Sequence, residues 1–182
     1  MAKKNVLQFI LLGLLNQREL AGYDIKKLFD CEIGDFWHSK HSQIYPELKR
    51  LEEEQLITVH TTIVGTRLEK KIYRITQAGQ SRLKEWLAEP LEPIQPTRDE
   101  FTMKLYLITD PHDPQLPALF AEEIARHQEK QEYLQARAAT LAACPPEAAP
   151  GYGHQRILAH AILRETLQLR WLKKEYHRLP RK

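Results

Sequence analysis

The sequence predicts a mainly α-helical protein with one small β-hairpin, made of an N-terminal domain at residues 1–89 and an α-helical C-terminal domain at residues 90–182. Three observations support this prediction. Apolar residues recur at helical spacing through most of the chain, the period changes to alternation only near residues 57–75, and prolines interrupt the pattern at residues 90–96. With 42% hydrophobic and 28% charged residues, the 182-residue chain can bury a core.

The first predicted element is a buried helix, because Val6–Leu15 is apolar nearly all round. Lys3 and Lys4 before this run imitate a signal peptide, but no small-residue cleavage site follows and residues 16–19 are polar. The run is also shorter than the roughly 20 apolar residues that cross a bilayer. A turn at residues 20–22 is expected to follow, and then a short second helix at residues 23–29 whose apolar side comprises Tyr23, Ile25, Leu28 and Phe29.

A third helix is predicted from the stripe formed by Ile44, Leu48 and Leu51. Ser39 or Ser42 is expected to cap it, since a serine hydroxyl accepts a hydrogen bond from a free amide of the first turn. Pro46 falls near that first turn, where proline costs least.

Two β-strands follow, because Ile57, Val59, Thr61 and Ile63 alternate with polar residues and residues 68–75 are again β-like beyond a turn at 64–67. Thr76 is expected to cap the next helix, which ends near Leu87. Three short helices, a hairpin and a further helix are the order of elements in a winged helix-turn-helix domain.

The C-terminal domain is predicted to contain a helix at residues 98–108 that Thr97 caps, then long helices at residues 116–141 and 154–179. Both long helices carry apolar stripes with coiled-coil spacing. The stripes comprise Phe120, Ile124, His127, Gln131, Leu134, Ala138 and Leu141, and Leu158, Ile162, Glu165, Leu169, Leu172, Tyr176 and Leu179. Two interpretations remain open at this point: the helices form a dimerisation arm, or they pair with each other within one chain.

Bulk properties exclude several classes of protein. The formal net charge is +3 and is spread evenly, so DNA binding would need a local arrangement of charges rather than a basic tail. Cys31 and Cys144 are far apart and unsuited to a disulfide scaffold, which favours a reducing, cytoplasmic location, and no segment is apolar enough to cross a membrane.

Catalytic and metal-binding patterns are incomplete. Cys31, His38 and His41 lack a fourth ligand at suitable spacing, so no metal or other cofactor is expected. Asp24, His41 and Ser42 lack the nucleophile elbow and glycine-rich loop of a catalytic triad. The chain is therefore expected not to be an enzyme.

Several segments closely resemble the PadR family of transcriptional regulators. They are Gly22–Ile25, Phe36–Leu51, Lys70–Gly79, Leu83–Leu87 and Asp99–Lys104. Together they span most of the first 108 residues, and the long C-terminal helices are similar to those of the two-domain branch of the family, in particular its phenolic-acid-responsive repressors.

The resemblance implies a homodimer that binds an inverted-repeat operator in double-stranded DNA and represses a phenolic acid decarboxylase gene. Hydroxycinnamic acids would act as effectors that release it. Another signal, or a partner regulator that acts with the chain, is the alternative, because related regulators respond to different ligands. A small enzyme acting on a hydroxycinnamate is a more distant alternative.

The residues expected to bind DNA are polar groups at the start of the third helix and in the basic wing, which is the hairpin segment at residues 65–71. Side chains at both places can reach base edges or phosphates. They are Ser39, Lys40, His41, Ser42, Gln43, Tyr45, Lys49, Gly65, Thr66, Arg67, Lys70 and Lys71.

The expected effector has an aromatic ring, a carboxylate and a phenol. Its binding site therefore needs an apolar slot for the ring, a cation or hydrogen-bond donor for the carboxylate, and an acceptor for the phenol. The candidates, expected where the two domains join, are Trp37, Phe101, Lys104, Tyr106 and His154. Trp37 and Phe101 fit equally well as core aromatics, and Lys104 also fits a structural salt bridge.

Overall fold

A computed structural model describes residues 5–34, 36–37, 41–64, 68–93, 98–144 and 151–180. These residues form seven α-helices and one three-stranded antiparallel sheet. The chain divides into two compact units, Met1–Pro93 (unit 1) and Ile94–Lys182 (unit 2). The mainly helical fold class with a small sheet is confirmed.

Unit 1 contains four of the helices and the whole sheet. Its elements are α1 (Val6–Gln17), β1 (Leu20–Ala21), α2 (Gly22–Leu28), α3 (His41–Glu53), β2 (Ile57–Val64), β3 (Leu68–Ile75) and α4 (Gln77–Ala88). A single π-helical turn, Phe29–Ile33, extends α2.

The core of unit 1 forms where α1 packs against α3 and the sheet. Phe9, Leu11 and Leu12 of α1 are almost completely buried, as are the α3 stripe residues Ile44, Leu48 and Leu51. Each such side chain contributes roughly 1.5–3 kcal/mol by leaving water. The predicted buried first helix is therefore confirmed, and it packs against the buried side of α3.

The expected turn at residues 20–22 is wrong. Leu20 and Ala21 form β1, which pairs antiparallel with β3 opposite Tyr73 and Ile72, and Gly22 already begins α2. A strand of two residues is too short to show alternation, and its pairing satisfies backbone groups on β3 that would otherwise lie at an open edge. The sheet order is therefore β1–β3–β2 rather than an isolated hairpin.

The proposed Ser42 cap is also wrong, because α3 begins at His41 and Ser42 already lies inside it. The alternative cap, Ser39, lies outside the described residues. Pro46 lies within the helix, where its missing N–H leaves the Ser42 carbonyl without its usual intrahelical donor. Ser42 is exposed, so water can satisfy that carbonyl.

The predicted strands and the Thr76 cap are confirmed, whereas most of the predicted turn at residues 64–67 lies outside the described residues. β2 and β3 pair in register from Ile57 opposite Ile75 to Val64 opposite Leu68. Thr76 caps α4, since its hydroxyl accepts a hydrogen bond from the Gly79 amide at 3.1 Å. A Cβ atom on Gly79 would lie 2.1 Å from the Leu56 carbonyl oxygen, so α4 can approach the sheet this closely only with glycine at that position.

Unit 2 contains α5 (Glu100–Leu107), α6 (Leu116–Ala142) and α7 (Tyr152–Arg178). The expected cap of α5, Thr97, lies outside the described residues, and the described cap is Asp99. Its carboxylate accepts hydrogen bonds from the Thr102 hydroxyl at 2.6 Å and from the Thr102 amide at 3.3 Å. The bond from the Thr102 side chain is the main reason why the pKa of Asp99 lies below its ordinary value.

Replacing Asp99 with alanine is expected to destabilise the protein by about 0.5–2 kcal/mol through loss of this cap. Because the pKa of Asp99 is lowered by folding, its contribution is complete above the ordinary carboxyl pKa and disappears as the pH falls through the lowered value. Thermal unfolding near neutral pH and in acid checks this. Asp99→Asn keeps a capping oxygen and should show no such pH dependence, and an equal deficit of Asp99→Ala at all pH values would contradict the account.

The apolar stripes of α6 and α7 face each other within the chain. Leu134, Leu158, Leu169 and Leu172 are buried between the two helices. Gln131 of α6 donates a hydrogen bond to the Thr166 hydroxyl of α7 at 2.8 Å. The intramolecular interpretation of these stripes is therefore confirmed, and any dimer contact must use other faces of the helices.

A buried ionic cluster interrupts the apolar seam. His127 lies between two carboxylates, with Nδ1 at 2.5 Å from Glu165 Oε2 and Nε2 at 3.1 Å from Glu123 Oε1. Both glutamates are buried, and Arg126 also donates to Glu123 at 2.9 Å. Each ring nitrogen of His127 lies within hydrogen-bond distance of one carboxylate, one on α6 and one on α7, so the cluster fixes the register of the two helices.

None of the described helices combines the length and the apolar character that crossing a bilayer requires.

Candidate nucleic-acid interface

One face of α3 is exposed and polar. Ser42, Tyr45 and Lys49 follow one another at helical spacing on the side opposite Ile44 and Leu48, which anchor the helix in the core. Lys49 forms an ion pair with Glu53 at 3.6 Å, and because both side chains are exposed the pair is weak and Lys49 can exchange it for another anion. The side of α3 that faces away from the core therefore offers a hydroxyl, a phenol and an ammonium group.

The N-terminus of α2 extends this face. A Cβ atom on Gly22 would lie 2.8 Å from Cε1 of Tyr45, so the Tyr45 ring packs against the bare backbone of Gly22. The next residue, Tyr23, is 69% exposed, and Tyr45 is 50% exposed. Two exposed phenol groups thus lie on neighbouring elements, Tyr23 on α2 and Tyr45 on α3.

Sequence reasoning missed Tyr23, which it assigned to the apolar side of the second helix. The structure contradicts this assignment, because only Ile25 of α2 is a fully buried large side chain. Apolar spacing alone cannot distinguish a tyrosine that is buried from one that is displayed. Only the close approach of Gly22 to the Tyr45 ring, seen in the structure, brings the start of α2 beside α3.

The wing joins the surface through Lys70. Its ammonium group is 3.1 Å from Asp24 Oδ2, and Asp24 also accepts a hydrogen bond from the Ala21 amide. Lys71 is exposed but lies on the opposite face of β3, since successive residues of a strand alternate. We call the surface formed by Tyr23, Ser42, Tyr45, Lys49 and Lys70 the DNA face.

Other predicted DNA-binding residues lie beside the DNA face or outside the described part of the chain. Gln43 is exposed but lies on the flank of α3, away from Tyr45 and Lys49. His41 begins α3, although its side chain is not described. The predictions that fall outside the described residues are those for Ser39, Lys40, Gly65, Thr66 and Arg67.

A cavity of about 390 Å³ lies in unit 1 beside the predicted effector residue Trp37. Val6 of α1, Trp86 and Leu87 of α4, and Pro90 and Leu91 after it form most of the apolar wall. Glu89 and Glu92 are the charged groups among its described lining residues. A flat aromatic molecule fits the size and apolar character of this space.

The other predicted effector residues do not form one site. Phe101 is buried in the core of unit 2, where it packs edge-on against Phe120 and Trp171. Lys104 forms an exposed ion pair with Glu100 at 2.7 Å, and hydrogen bonding to Glu100 is the main cause of its raised pKa. The structural alternative for each of these two residues is therefore the one observed.

The other two predicted effector residues, Tyr106 and His154, lie on different helices of unit 2. Tyr106 is 79% exposed on α5. His154 lies in the first turn of α7, about 26 Å along the helix axis from Trp171, which contacts Phe101, at a rise of 1.5 Å per residue. Within one chain, His154 therefore lies about five turns of α7 away from the residue that contacts Phe101, so the structure does not bring these two predicted residues together.

Unit 2 has two cavities of its own that sequence reasoning did not identify. They have volumes of about 540 and 610 Å³ and share Pro111, Leu116, Leu179 and Pro180 as lining residues. They lie where the α5–α6 connection meets the end of α7. In the part of the chain that the structure describes, no three His, Cys, Asp or Glu side chains are grouped to hold a metal ion.

Comparison with known proteins agrees with this architecture. The family described as "Transcriptional regulator PadR-like family" matches residues 11–85, and the one described as "Virulence activator alpha C-term" matches residues 97–179. The chain is 42% identical over 171 residues to the negative transcriptional regulator PadR of Bacillus subtilis, which covers 92% of this chain and 93% of the relative.

Solved structures extend the similarity to the whole fold. Bacillus subtilis PadR in complex with operator DNA superposes with a TM-score of 0.86 at 38% identity, covering 97% of this chain and 100% of the other. The same protein in complex with p-coumaric acid superposes with a TM-score of 0.82 at 35% identity, covering 96% and 99%. The chain therefore belongs to the PadR-like family of transcriptional regulators and has its winged-helix fold.

Proposed function

We propose that this chain is a DNA-binding transcriptional repressor that binds an inverted-repeat operator as a homodimer and is released by a phenolic acid. In this proposal residues 1–89 bind DNA, residues 90–182 support dimerisation and the response to the effector, and the protein acts in the cytoplasm. The regulated gene would encode a phenolic acid decarboxylase. The observation that carries the proposal is the continuous DNA face in a chain whose 42%-identical relative is a negative regulator.

The chemistry of the DNA face suits phosphate and base edges. Lys49 and Lys70 provide positive charge, and Tyr23, Ser42 and Tyr45 provide hydroxyl donors that bind phosphate oxygens without adding charge. Asp24 and Glu53 neutralise both lysines in the free protein, so DNA must displace weak surface ion pairs. Such a face favours binding through many local contacts rather than through a strong long-range field.

Removing a wing lysine is expected to reduce the salt dependence of DNA binding. Lys70→Ala should lower the slope of log affinity against log salt by about one unit through loss of one phosphate contact, and Lys71→Ala tests whether the wing also contacts phosphate from the opposite face of β3. The loss should be similar on specific and random DNA. Lys84→Ala, which removes an exposed lysine from α4, is the matched control. Unchanged slopes for both wing variants would remove the wing from the interface.

The homodimer is proposed from an exposed apolar strip on α7. Ile157, Leu163 and Leu167 are each between 48% and 55% exposed and fall on the side of the helix away from α6. Trp171, which is 42% exposed, continues the strip at its edge, although its ring also contacts Phe101 and Phe120. Solvent exposure of such a strip is unfavourable, and a second copy would cover it. Sedimentation at micromolar concentration should show a dimer that Leu163→Glu with Leu167→Glu disrupts. A monomeric wild-type chain would contradict this part of the proposal.

The phenolic acid effector is proposed because a relative of this similarity has been crystallised with p-coumaric acid. The cavity beside Trp37 and Trp86 offers an aromatic ring an apolar site, and Pro90 and Leu91 supply the apolar part of its wall that belongs to residues 90–182. A gel shift on DNA from upstream of the chain's own gene, with and without p-coumaric acid, tests the proposal. Release of the DNA by p-coumaric acid is expected, and persistence of the complex across several hydroxycinnamic acids would leave a regulator that responds to another signal.

A second candidate function follows from the match of residues 97–179 to the virulence-activator family. In that case the chain acts together with a partner regulator. A footprint produced by the purified chain alone would favour the repressor, and a footprint that needs a second regulator would favour this alternative.

A further inference from the structure

Glu47 is a buried carboxylate on the inner side of α3, although it lies between the exposed residues Tyr45 and Lys49 in the sequence. It accepts a hydrogen bond from the Asn5 side-chain amide, just before α1, at 3.0 Å. It also accepts from Arg50 Nη2 at 2.5 Å and from Arg50 Nε at 3.2 Å. A carboxylate is buried without large cost only when such partners surround it.

Arg50 completes a set of contacts between α3 and α1. Its Nη2 also donates to the Gln8 side chain of α1 at 3.0 Å, and its Nη1 donates to Glu54 at 2.9 Å. Hydrogen bonding to Glu47 is the main reason why the pKa of Arg50 lies above its ordinary value. The guanidinium group is thus turned toward α1 and the end of its own helix, with most of its donors in use.

We propose that Glu47 and Arg50 are positioning residues that hold the recognition helix α3 on α1, and that Arg50 is not a phosphate contact. This inference rests on the proposed function, in which α3 binds DNA. An arginine in a recognition helix would ordinarily be assigned to a DNA phosphate. Here Asn5 and Gln8 anchor Glu47 and Arg50 instead, so α1 determines how Tyr45 and Lys49 are presented to DNA.

The geometry gives Arg50 a requirement that lysine cannot meet. One planar guanidinium group reaches Glu47, Gln8 and Glu54 together, whereas an ammonium group is a compact point charge that cannot reproduce this fork. A phosphate, in contrast, accepts lysine as a point charge. The arginine-to-lysine replacement therefore separates positioning from phosphate contact.

The test uses the duplex that the wild-type chain protects in a footprint, which we call the protected duplex, and a scrambled duplex. Fluorescence anisotropy measures the affinity of the chain for each duplex over a series of salt concentrations. Arg50→Ala is expected to weaken binding to the protected duplex by roughly tenfold, because Glu47 loses its principal donor. The salt slope should stay at the wild-type value, and Arg50→Lys should not restore affinity. Lys49→Ala, which removes a lysine of the DNA face from the same helix, should lower the slope by about one unit.

The positioning role can also be tested by removing the uncharged partners of Glu47 and Arg50, namely Asn5 and Gln8. Asn5→Ala with Gln8→Ala should weaken binding to the protected duplex at an unchanged salt slope while thermal unfolding shows a folded protein. Combined with Arg50→Ala, the loss should be smaller than the sum of the separate losses, because all three residues share one network.

Two results would overturn the positioning role and leave the proposed function intact. The first is a salt slope that falls by about one unit in Arg50→Ala and is restored in Arg50→Lys. The second is wild-type affinity in the Asn5→Ala, Gln8→Ala variant. A wild-type chain that binds the protected and scrambled duplexes equally would overturn the proposed function, and the positioning role with it.

Discussion

Replacing His127 with alanine is expected to lower the free energy of unfolding by about 3–5 kcal/mol. The imidazole ring separates Glu123 and Glu165, and both carboxylates are buried between α6 and α7. Without the ring the two carboxylates face each other, and the exposed Arg126 beside Glu123 and Arg164, 4.0 Å from Glu165, are the cations that the described residues leave near them. Removing one member of a buried ionic cluster leaves uncompensated charge, which costs far more than the loss of a surface ion pair.

Chemical denaturation measures this effect, and two further variants define its cause. Arg126→Ala removes the exposed partner of Glu123 and should cost less than about 1 kcal/mol. Replacing Glu123, His127 and Glu165 together by leucine should recover most of the stability lost in His127→Ala, because apolar side chains of similar size tolerate burial. A His127→Ala variant within about 1 kcal/mol of the wild type would show that water or rearranged side chains satisfy both carboxylates.

Removing the hydroxyl groups of Tyr23 and Tyr45 is expected to weaken DNA binding strongly without affecting folding. Both rings are exposed on the DNA face, and phenylalanine preserves the packing of the Tyr45 ring on Gly22. A hydrogen bond to a charged group contributes about 1.5–3 kcal/mol, so Tyr23→Phe and Tyr45→Phe should each reduce affinity by roughly ten- to a hundredfold. Because neither substitution removes charge, the salt slope should not change.

Anisotropy titration of operator DNA measures this loss. The control is Tyr152→Phe, which makes the same chemical change at a tyrosine that is 80% exposed in unit 2. Wild-type affinity in Tyr23→Phe would restrict the interface to α3 and the wing. Wild-type affinity in both variants would mean that the surface defined by these two rings does not bind DNA.

Strong periodicity made most of the fold predictable from the sequence. The stripe of Ile44, Leu48 and Leu51 predicts α3, and the alternation from Ile57 predicts the strands, because burial on one face imposes a fixed repeat. Short-range details were less predictable. β1 has only two residues, and Asp99 rather than Thr97 is the described cap of α5, because several capping residues adjoin one another in that sequence.

The candidate sites depended on contacts between elements that are distant in the sequence. Tyr45 and Lys49 were predicted as polar groups near the start of the third helix, whereas Tyr23 joins the DNA face only because Gly22 approaches the Tyr45 ring. Glu47 and Arg50 read as ordinary surface charges until α1 is placed beside them. The proposed effector residues failed as a set because Phe101 is needed in the core of unit 2 and His154 lies at the other end of α7.

The most direct test of the account is the affinity of the purified chain for the inverted repeat upstream of its own gene, relative to a scrambled duplex of the same composition, with and without p-coumaric acid. We expect binding to the repeat to be at least roughly a thousandfold tighter than to the scrambled duplex, and p-coumaric acid to remove most of this difference. Equal affinity for the two duplexes, whether or not p-coumaric acid is present, would contradict the account.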